Sequence, residues 1–313
     1  MNESLGTPGP AVRRGWRDWR GWPIVLLLVI PTTVAEVLFG STTLSDLPGV
    51  VLEAGMYGCG AILIREVVRR RGGSWPSLLL LGAAYATVEE GLVEPTWFTP
   101  QLFHTHWGVL AGVFWPYAAF NIAYHAVWSI TVPILITEQL FPSRRDQSWI
   151  GNRGLGIVAA IYLIDCGVTW AFWNLVIIPL LIHAHPHVSP VLFGASGVLL
   201  VVLLALGWWS TRAWPGLRST ARGAAPHAAV VGVAALIAGG LWFGWAIAPT
   251  SLLQAFPFEL LLVFDALVVA VSAWLVATWS RRPGWGDLHI VAVCTGSLIA
   301  QMGGGFVLNQ SSL

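Results

Sequence analysis

The sequence predicts an all-α polytopic membrane protein: one bundle of about nine transmembrane helices, with its N-terminus inside and its C-terminus outside. Three observations lead there. Of 313 residues, 56% are hydrophobic and only 10% charged, where a soluble domain carries about a quarter charged residues. Nine apolar runs are long enough for the ~20 residues that a spanning helix needs. Arginine, the only basic residue besides histidine, sits in every second connection between those runs.

The runs are approximately 22–39, 48–69, 76–94, 115–140, 153–182, 190–210, 227–247, 256–279 and 287–308. Residues 1–21 read as a cytoplasmic tail, 22–308 as a single transmembrane domain and 309–313 as a short extracytoplasmic tail. The polar N-terminus has no small-residue cleavage site behind it, so the first run reads as an uncleaved span. The fifth run is too long for one upright helix, and Pro179 near its end predicts a tilt, a kink or an exit into the following loop. Arg13, Arg14, Arg17 and Arg20 precede the first run. Arg69, Arg70 and Arg71 follow the second, Arg144, Arg145 and Arg153 flank the turn after the fourth, Arg212, Arg218 and Arg222 follow the sixth, and Arg281 and Arg282 follow the eighth. Loops 40–47, 95–114, 183–189 and 248–255 have none. An excess of basic residues marks the cytoplasmic side, and nine spans satisfy the alternation without exception.

Trp22, Trp75, Trp115, Trp208, Trp209, Trp279 and Trp285 lie at run ends, where an amphipathic ring suits the headgroup layer. Gly240 and Gly244 form a GxxxG in the seventh run and predict a close helix contact there. Cys59, Cys166 and Cys294 fall in three separate runs, which is neither a disulfide framework nor a zinc pattern. With a net charge of +1 and no long basic run, nothing points to nucleic acid. The expected location is the cell membrane and the expected surroundings its lipid.

Against this apolar background, the ionisable residues inside the runs are the functional candidates, because a charge at mid-bilayer costs about 2.5–3.5 kcal/mol on insertion scales and needs a partner. The third run ends in "AYATVEEGLVEP", with Glu89, Glu90 and Glu94. By its direction, Glu89 and Glu90 belong to the outer half of the bilayer and Glu94 to its rim. About 100° apart on a regular helix, the two adjacent carboxyls cannot both face one site squarely. Either Glu90 or Glu89 serves as a base or metal ligand, or both are hydrogen-bonded structural carboxyls.

In the fourth run Asn121, His125 and Ser129 recur at i, i+4 and i+8 as one polar stripe, at a depth comparable to the Glu pair. Pro133 frees the carbonyl of Ser129 and predicts a kink. Glu36, Glu53 and Glu259 also fall in the outer half, and Asp165 and Asp265 lie within the fifth and eighth runs. Glu36, Glu53, Glu94, Asn121 and Asp165 would line a substrate or ion path. His104, His106, His183, His185 and His187 lie in the bare loops. They suit capture of a metal such as zinc, or are simply polar loop residues. A metal site would use Glu90 and His125, with His183, His185 or His187 completing it. At the opposite end, "ILIREVVRRR" pairs Glu66 with Arg69 and Arg70, while Arg65 is expected to snorkel to the interface. Glu138 is within reach of such arginines.

Two blocks, "YGCGAILIREVVRRRGGSWPSLLLLGAAYATVEEGL" and "FNIAYHAVWSITVPILITEQLFP", resemble a bacterial group of uncharacterised multi-pass membrane proteins over residues 22–145. A more distant resemblance is to the CAAX prenyl protease and bacteriocin-processing family of intramembrane metalloproteases, whose Glu-Glu-x-x-x-Arg and Phe-x-x-x-His motifs are met here by Glu89, Glu90 and His125. The arginine position holds Glu94 and the phenylalanine position Asn121, and no clear third motif follows. That resemblance implies hydrolysis, with Glu89 or Glu90 activating a water and His125 holding a metal or an oxyanion. The residues themselves suit equally a permease for a small solute or cation, and a non-catalytic membrane protein is the third reading.

Overall fold

The computed structural model describes residues 21–42, 47–184, 188–213, 223–248 and 250–310. The tail arginines, Arg218, Arg222, His185 and His187 lie outside the described residues. All nine apolar runs are helical: α1 (Trp22–Leu38), α2 (Leu47–Arg70), α3 (Trp75–Val88, continued by Glu89–Val93), α4 (Trp115–Leu140), α5 (Asn152–Ile182), α6 (Pro190–Ala213), α7 (Ala228–Ala246), α8 (Phe258–Trp279) and α9 (Asp287–Gln310). Among them α4, α5, α6, α8 and α9 are long and apolar enough to cross a membrane. A short hairpin, Val109–Leu110 against Val113–Phe114, interrupts the helical pattern between α3 and α4. Its turn residues Ala111 and Gly112 both have positive φ, as the tightest hairpin turns require.

Three helices begin with Trp-Pro, at Trp22, Trp75 and Trp115. Proline is favourable in a first turn, where its missing N–H would have no partner. Further along, proline does something else. Four helices leave regular α geometry for a wider π turn: Thr33–Leu38 in α1, Glu89–Val93 after α3, His125–Thr131 in α4 and Trp173–Ile177 in α5. Pro95, Pro133 and Pro179 each stand two residues beyond such a turn, and Pro31 stands just ahead of the first. A proline cannot donate to the carbonyl four residues back, and its ring crowds that carbonyl; widening the preceding turn relieves the clash. The kink expected at Pro133 therefore takes the form of a π turn. Pro179 does not end its helix, and α5 runs on for 31 residues, ~46 Å at ~1.5 Å per residue, which exceeds the bilayer's hydrocarbon thickness.

Consecutive helices run antiparallel, as the contacts at the two ends show. At one end Arg70 Nη1 donates to Asn152 Oδ1 at 2.7 Å, Arg71 Nε to Thr211 Oγ1 at 2.9 Å, Arg145 to Asp287, and Ala225 N to the carbonyl of Pro283 at 2.8 Å. At the other, Trp107 Nε1 meets the carbonyl of Phe256 at 3.1 Å and Asn174 Nδ2 that of Val93 at 2.9 Å. Helix α4 is central, touching α1, α2, α3, α8 and α9; 67% of its apolar window is buried, against 0% for the peripheral α5.

Glycines set the closest crossings. A Cβ on Gly82 would lie 2.8 Å from the Cα of Ala126, so α3 and α4 touch backbone to backbone beside His125. Helix α7 meets α9 through Gly232 and Gly239 against Ala292, Gly296 and Ala300. The GxxxG pair expected to make a close helix contact makes none among the described residues: a Cβ on Gly240 or Gly244 would have nothing within 4 Å, because they lie on the other face of α7.

The basic end also corrects the reading of Arg65. Its side chain is fully buried and turns inward. It donates to Glu66 Oε1 at 2.7 Å, to Glu138 Oε1 at 3.2 Å and to the carbonyls of Arg145 and Gln147 at 2.6 Å each, and it stacks 3.6 Å from the ring of Trp149. Arg69 pairs with Glu138 rather than with Glu66, at 2.6–2.7 Å through two nitrogens, while Arg70 takes Glu66. Acceptors packed on every side of Arg65 outweigh the gain of reaching water.

Candidate functional site

The α3–α4 crossing at Gly82 places the π turn of α3 against the π turn of α4. His125 stands between two carboxylates: Nδ1 lies 3.1 Å from Glu89 Oε2, and Nε2 lies 3.2 Å from Glu90 Oε1. Both adjacent carboxyls thus approach one ring, against the sequence expectation, although Nδ1 takes Ser129 Oγ as its hydrogen-bond partner and Glu89 Oε2 has none among the described residues. The reason is twofold: a π turn rotates less per residue than an α turn, and an imidazole presents nitrogens on two edges of its ring. Ser129 Oγ lies 2.9 Å from Nδ1, and Thr96, in the turn after α3, donates to Glu90. Glu89, Glu90, His125 and Ser129 are 3%, 6%, 4% and 0% exposed, so solvent does not screen them.

A cage of tyrosines closes round the histidine. Ring centroids of Tyr57, Tyr85 and Tyr124 lie 6.0, 6.1 and 5.3 Å from that of His125. Tyr124 donates to the carbonyl of Ala35 at 2.6 Å and accepts from Gln301 Nε2 at 2.9 Å, which ties α4 to α1 and α9. Tyr57 donates to Glu36 Oε1 at 2.8 Å and lies beside Glu89. Glu36, in the π turn of α1, also accepts from Ser41 at 2.5 Å. A polar chain therefore runs from the loop after α1, through Glu36 and Tyr57, to Glu89 and His125.

Not every residue singled out in the sequence joins this group. Asn121 is buried one turn away, beside Tyr117, and its Nδ2 has no partner. Glu94 is half-buried past the π turn, where its backbone N–H meets the carbonyl of Glu89 at 2.7 Å. Glu53 and Asp165 are half-buried, each with one partnerless oxygen, and Asp165 packs against Gly55 at the α2–α5 contact. Asp265 is buried on α8 beside Trp245, and neither of its oxygens meets a well-aligned donor among the described residues. His183 is exposed at the end of α5, at φ 53°, and His104 and His106 are exposed as well. Tyr57, Thr96, Tyr124 and Gln301 escaped the sequence reading. The available signal was that each is a polar side chain in or beside an apolar run.

A zinc ion takes three or four protein ligands at about 2.0–2.3 Å. Glu89 and Glu90 occupy opposite edges of the imidazole, so a metal on either nitrogen would have only one of them within reach. Among the described residues no three His, Cys, Asp or Glu side chains gather as a ligand set. The arrangement suits protons better. A neutral imidazole has one N–H, whereas a protonated ring presents an N–H on each edge, here toward Glu90 on one side and toward Ser129 and Glu89 on the other. The hydroxyl of Tyr85 and the amide nitrogen of Asn121 are buried donors without partners among the described residues.

Residues 25–302 match the model of a family described as an uncharacterized membrane protein family. The chain belongs to that family. It is an integral membrane protein, as its family and its apolar helices together establish. The membrane-protein family matched here does not show the likeness to intramembrane proteases. No curated protein and no solved structure matches the chain.

Proposed function

We propose that this membrane protein is a proton-linked transporter for a small solute or cation, with Glu89, His125 and Glu90 as its proton site. The observation that carries this reading is the imidazole held between two buried carboxylates. Buried acid–histidine chains in membrane helices mark proton relays and substrate paths, and transporter sites are commonly built where membrane helices depart from regular geometry. Here the segments holding Glu36, the Glu pair and His125 are all π turns. Protons would enter along Ser41, Glu36 and Tyr57. The alternation of arginines, with the shared ends of the connections, supports nine spans in the cell membrane, the basic end in the cytoplasm and the Glu36 end outside.

Proteoliposomes enclosing a pH-sensitive dye test the activity. Under an inward proton gradient, amino acids, sugars, organic acids and divalent cations are added outside as separate classes. At least one class speeds internal acidification with the wild type, and His125→Asn and Glu90→Gln abolish the effect. Equal acceleration in the variants refutes the proton site. A metal bound stoichiometrically by the wild type and lost in both Glu90→Ala and His125→Ala would instead favour a metal-dependent hydrolase. Orientation is tested with His104→Cys on intact cells: a membrane-impermeant maleimide labels it from outside, and labelling from inside alone would overturn the topology.

A further inference from the structure

Three consecutive arginines end α2, and the protein uses them differently. Arg69 is held by Glu138, and Arg70 by Glu66 and Asn152. Among the described residues Arg71 meets no carboxylate. Its Nε donates to Thr211 Oγ1 at 2.9 Å, and its guanidinium stacks 3.4 Å from the ring centroid of Trp208; its Nη2 is buried, with no acceptor among the described residues. Both of these partners are neutral, so the cation is fixed in place with no counter-charge among the described residues. The fixing is tight. Gly72 has φ 69°, which turns the chain back, and a Cβ on Gly73 would lie 3.0 Å from the Cγ2 of Thr211, so the α2–α3 turn lies directly on the end of α6.

The surroundings are those of a membrane surface. Trp208 and Trp209 are 51% and 57% exposed at the end of α6, a helix whose apolar flank is almost wholly outward-facing. Arg212, one turn beyond Trp208, is exposed and has no ion-pair partner among the described residues.

We propose that Arg71, Arg212 and the exposed ring edges of Trp208 and Trp209 form a binding site for the phosphodiester headgroup of an anionic phospholipid, whose acyl chains lie along α6. A planar guanidinium already immobilised on a ring loses little further freedom on meeting a phosphate, and a basic corner between helices at the interface is where anionic headgroups bind. The apolar flank of α6 argues for a lipid over free phosphate, since it gives the chains a surface to follow. The site is some distance from His125 and does not depend on the transport reading.

The test uses the delipidated full-length protein in a neutral detergent, titrated with phosphatidylglycerol, with phosphatidylcholine or with inorganic phosphate. Bound lipid is counted by native mass spectrometry, and thermal stability is followed in parallel. The wild type retains phosphatidylglycerol in preference to phosphatidylcholine and is stabilised by it. Arg71→Gln weakens that binding about fivefold, the effect of one basic residue at a membrane surface, and Arg212→Gln weakens it further when combined. Should Arg71→Gln not yield folded protein, Trp208→Leu takes its place: it keeps the charge but frees the guanidinium, and a loss of headgroup preference is again expected. Equal retention of the two lipids by the wild type, unchanged preference in the variants, or a stabilisation fully reproduced by inorganic phosphate would each overturn the proposal.

Discussion

Replacing Arg65 by methionine removes the centre of the buried charge network and keeps the aliphatic volume. Arg65 makes two contacts to carboxylates and short contacts to the carbonyls of Arg145 and Gln147. Breaking a buried ion pair from one side costs about 3–5 kcal/mol, because the remaining charge is left unmatched. Here the cost falls at the lower end, since Glu138 retains Arg69 and Glu66 retains Arg70 and the backbone N–H of Trp149. We expect a loss of ~3 kcal/mol in unfolding by sodium dodecyl sulfate from mixed micelles. A second readout localises the effect. The turn at 141–151 is held down by Arg65 and contains Arg144 and Arg145, both trypsin sites. In Arg65→Met, cleavage at these bonds outpaces that in the wild type well before global unfolding. Combining Arg65→Met with Glu138→Leu should cost less than the sum of the two single changes, as contacting residues are not additive. A destabilisation under ~1 kcal/mol with unchanged trypsin cleavage would refute the clamp.

Other consequences are simpler to check by the same unfolding assay. Gly82→Ala drives a methyl into the backbone of Ala126 and should cost about 1–3 kcal/mol, whereas Gly240→Ala, facing open space, should stay within about 0.5 kcal/mol of the wild type. Thr96→Val removes the hydroxyl that donates to Glu90; we expect a loss of about 1–3 kcal/mol, the cost of leaving a buried acceptor unsatisfied, largely restored by Thr96→Ser. The Arg145–Asp287 pair is 35% and 52% exposed, so Arg145→Ala should cost less than ~1 kcal/mol, and that effect should shrink further in high salt.

The helical runs, their antiparallel order and the basic end were all readable along the chain. Each depends on local hydrophobicity or on a loop's own charge, and neither needs a neighbour to be known. The proximity of the Glu pair to His125 was readable too, because counting residues from each helix end fixes depth. Depth does not fix direction. Whether Glu89 and Glu90 share one imidazole depends on the rotation of α3 about its axis, which follows from the π turn and from the backbone contact at Gly82.

The same distinction explains the corrections. Arg65 was expected at the interface because its neighbours in sequence are arginines; apart from the adjacent Glu66, its acceptors come from α4 and from the turn beyond it, 73 or more positions away. Gly240 and Gly244 match a packing motif, but the face that α7 turns to α9 is set by which small residues α9 presents in return. Asp165 shares the polarity of the site but not its place, since α5 packs on the outside of α2. The prolines were visible all along, and their regular offset from the π turns was the one legible sign of where the helices would widen. Hydrophobicity acts at any orientation and so can be read from order alone, whereas hydrogen bonds and close packing have direction, which exists only once the helices are assembled.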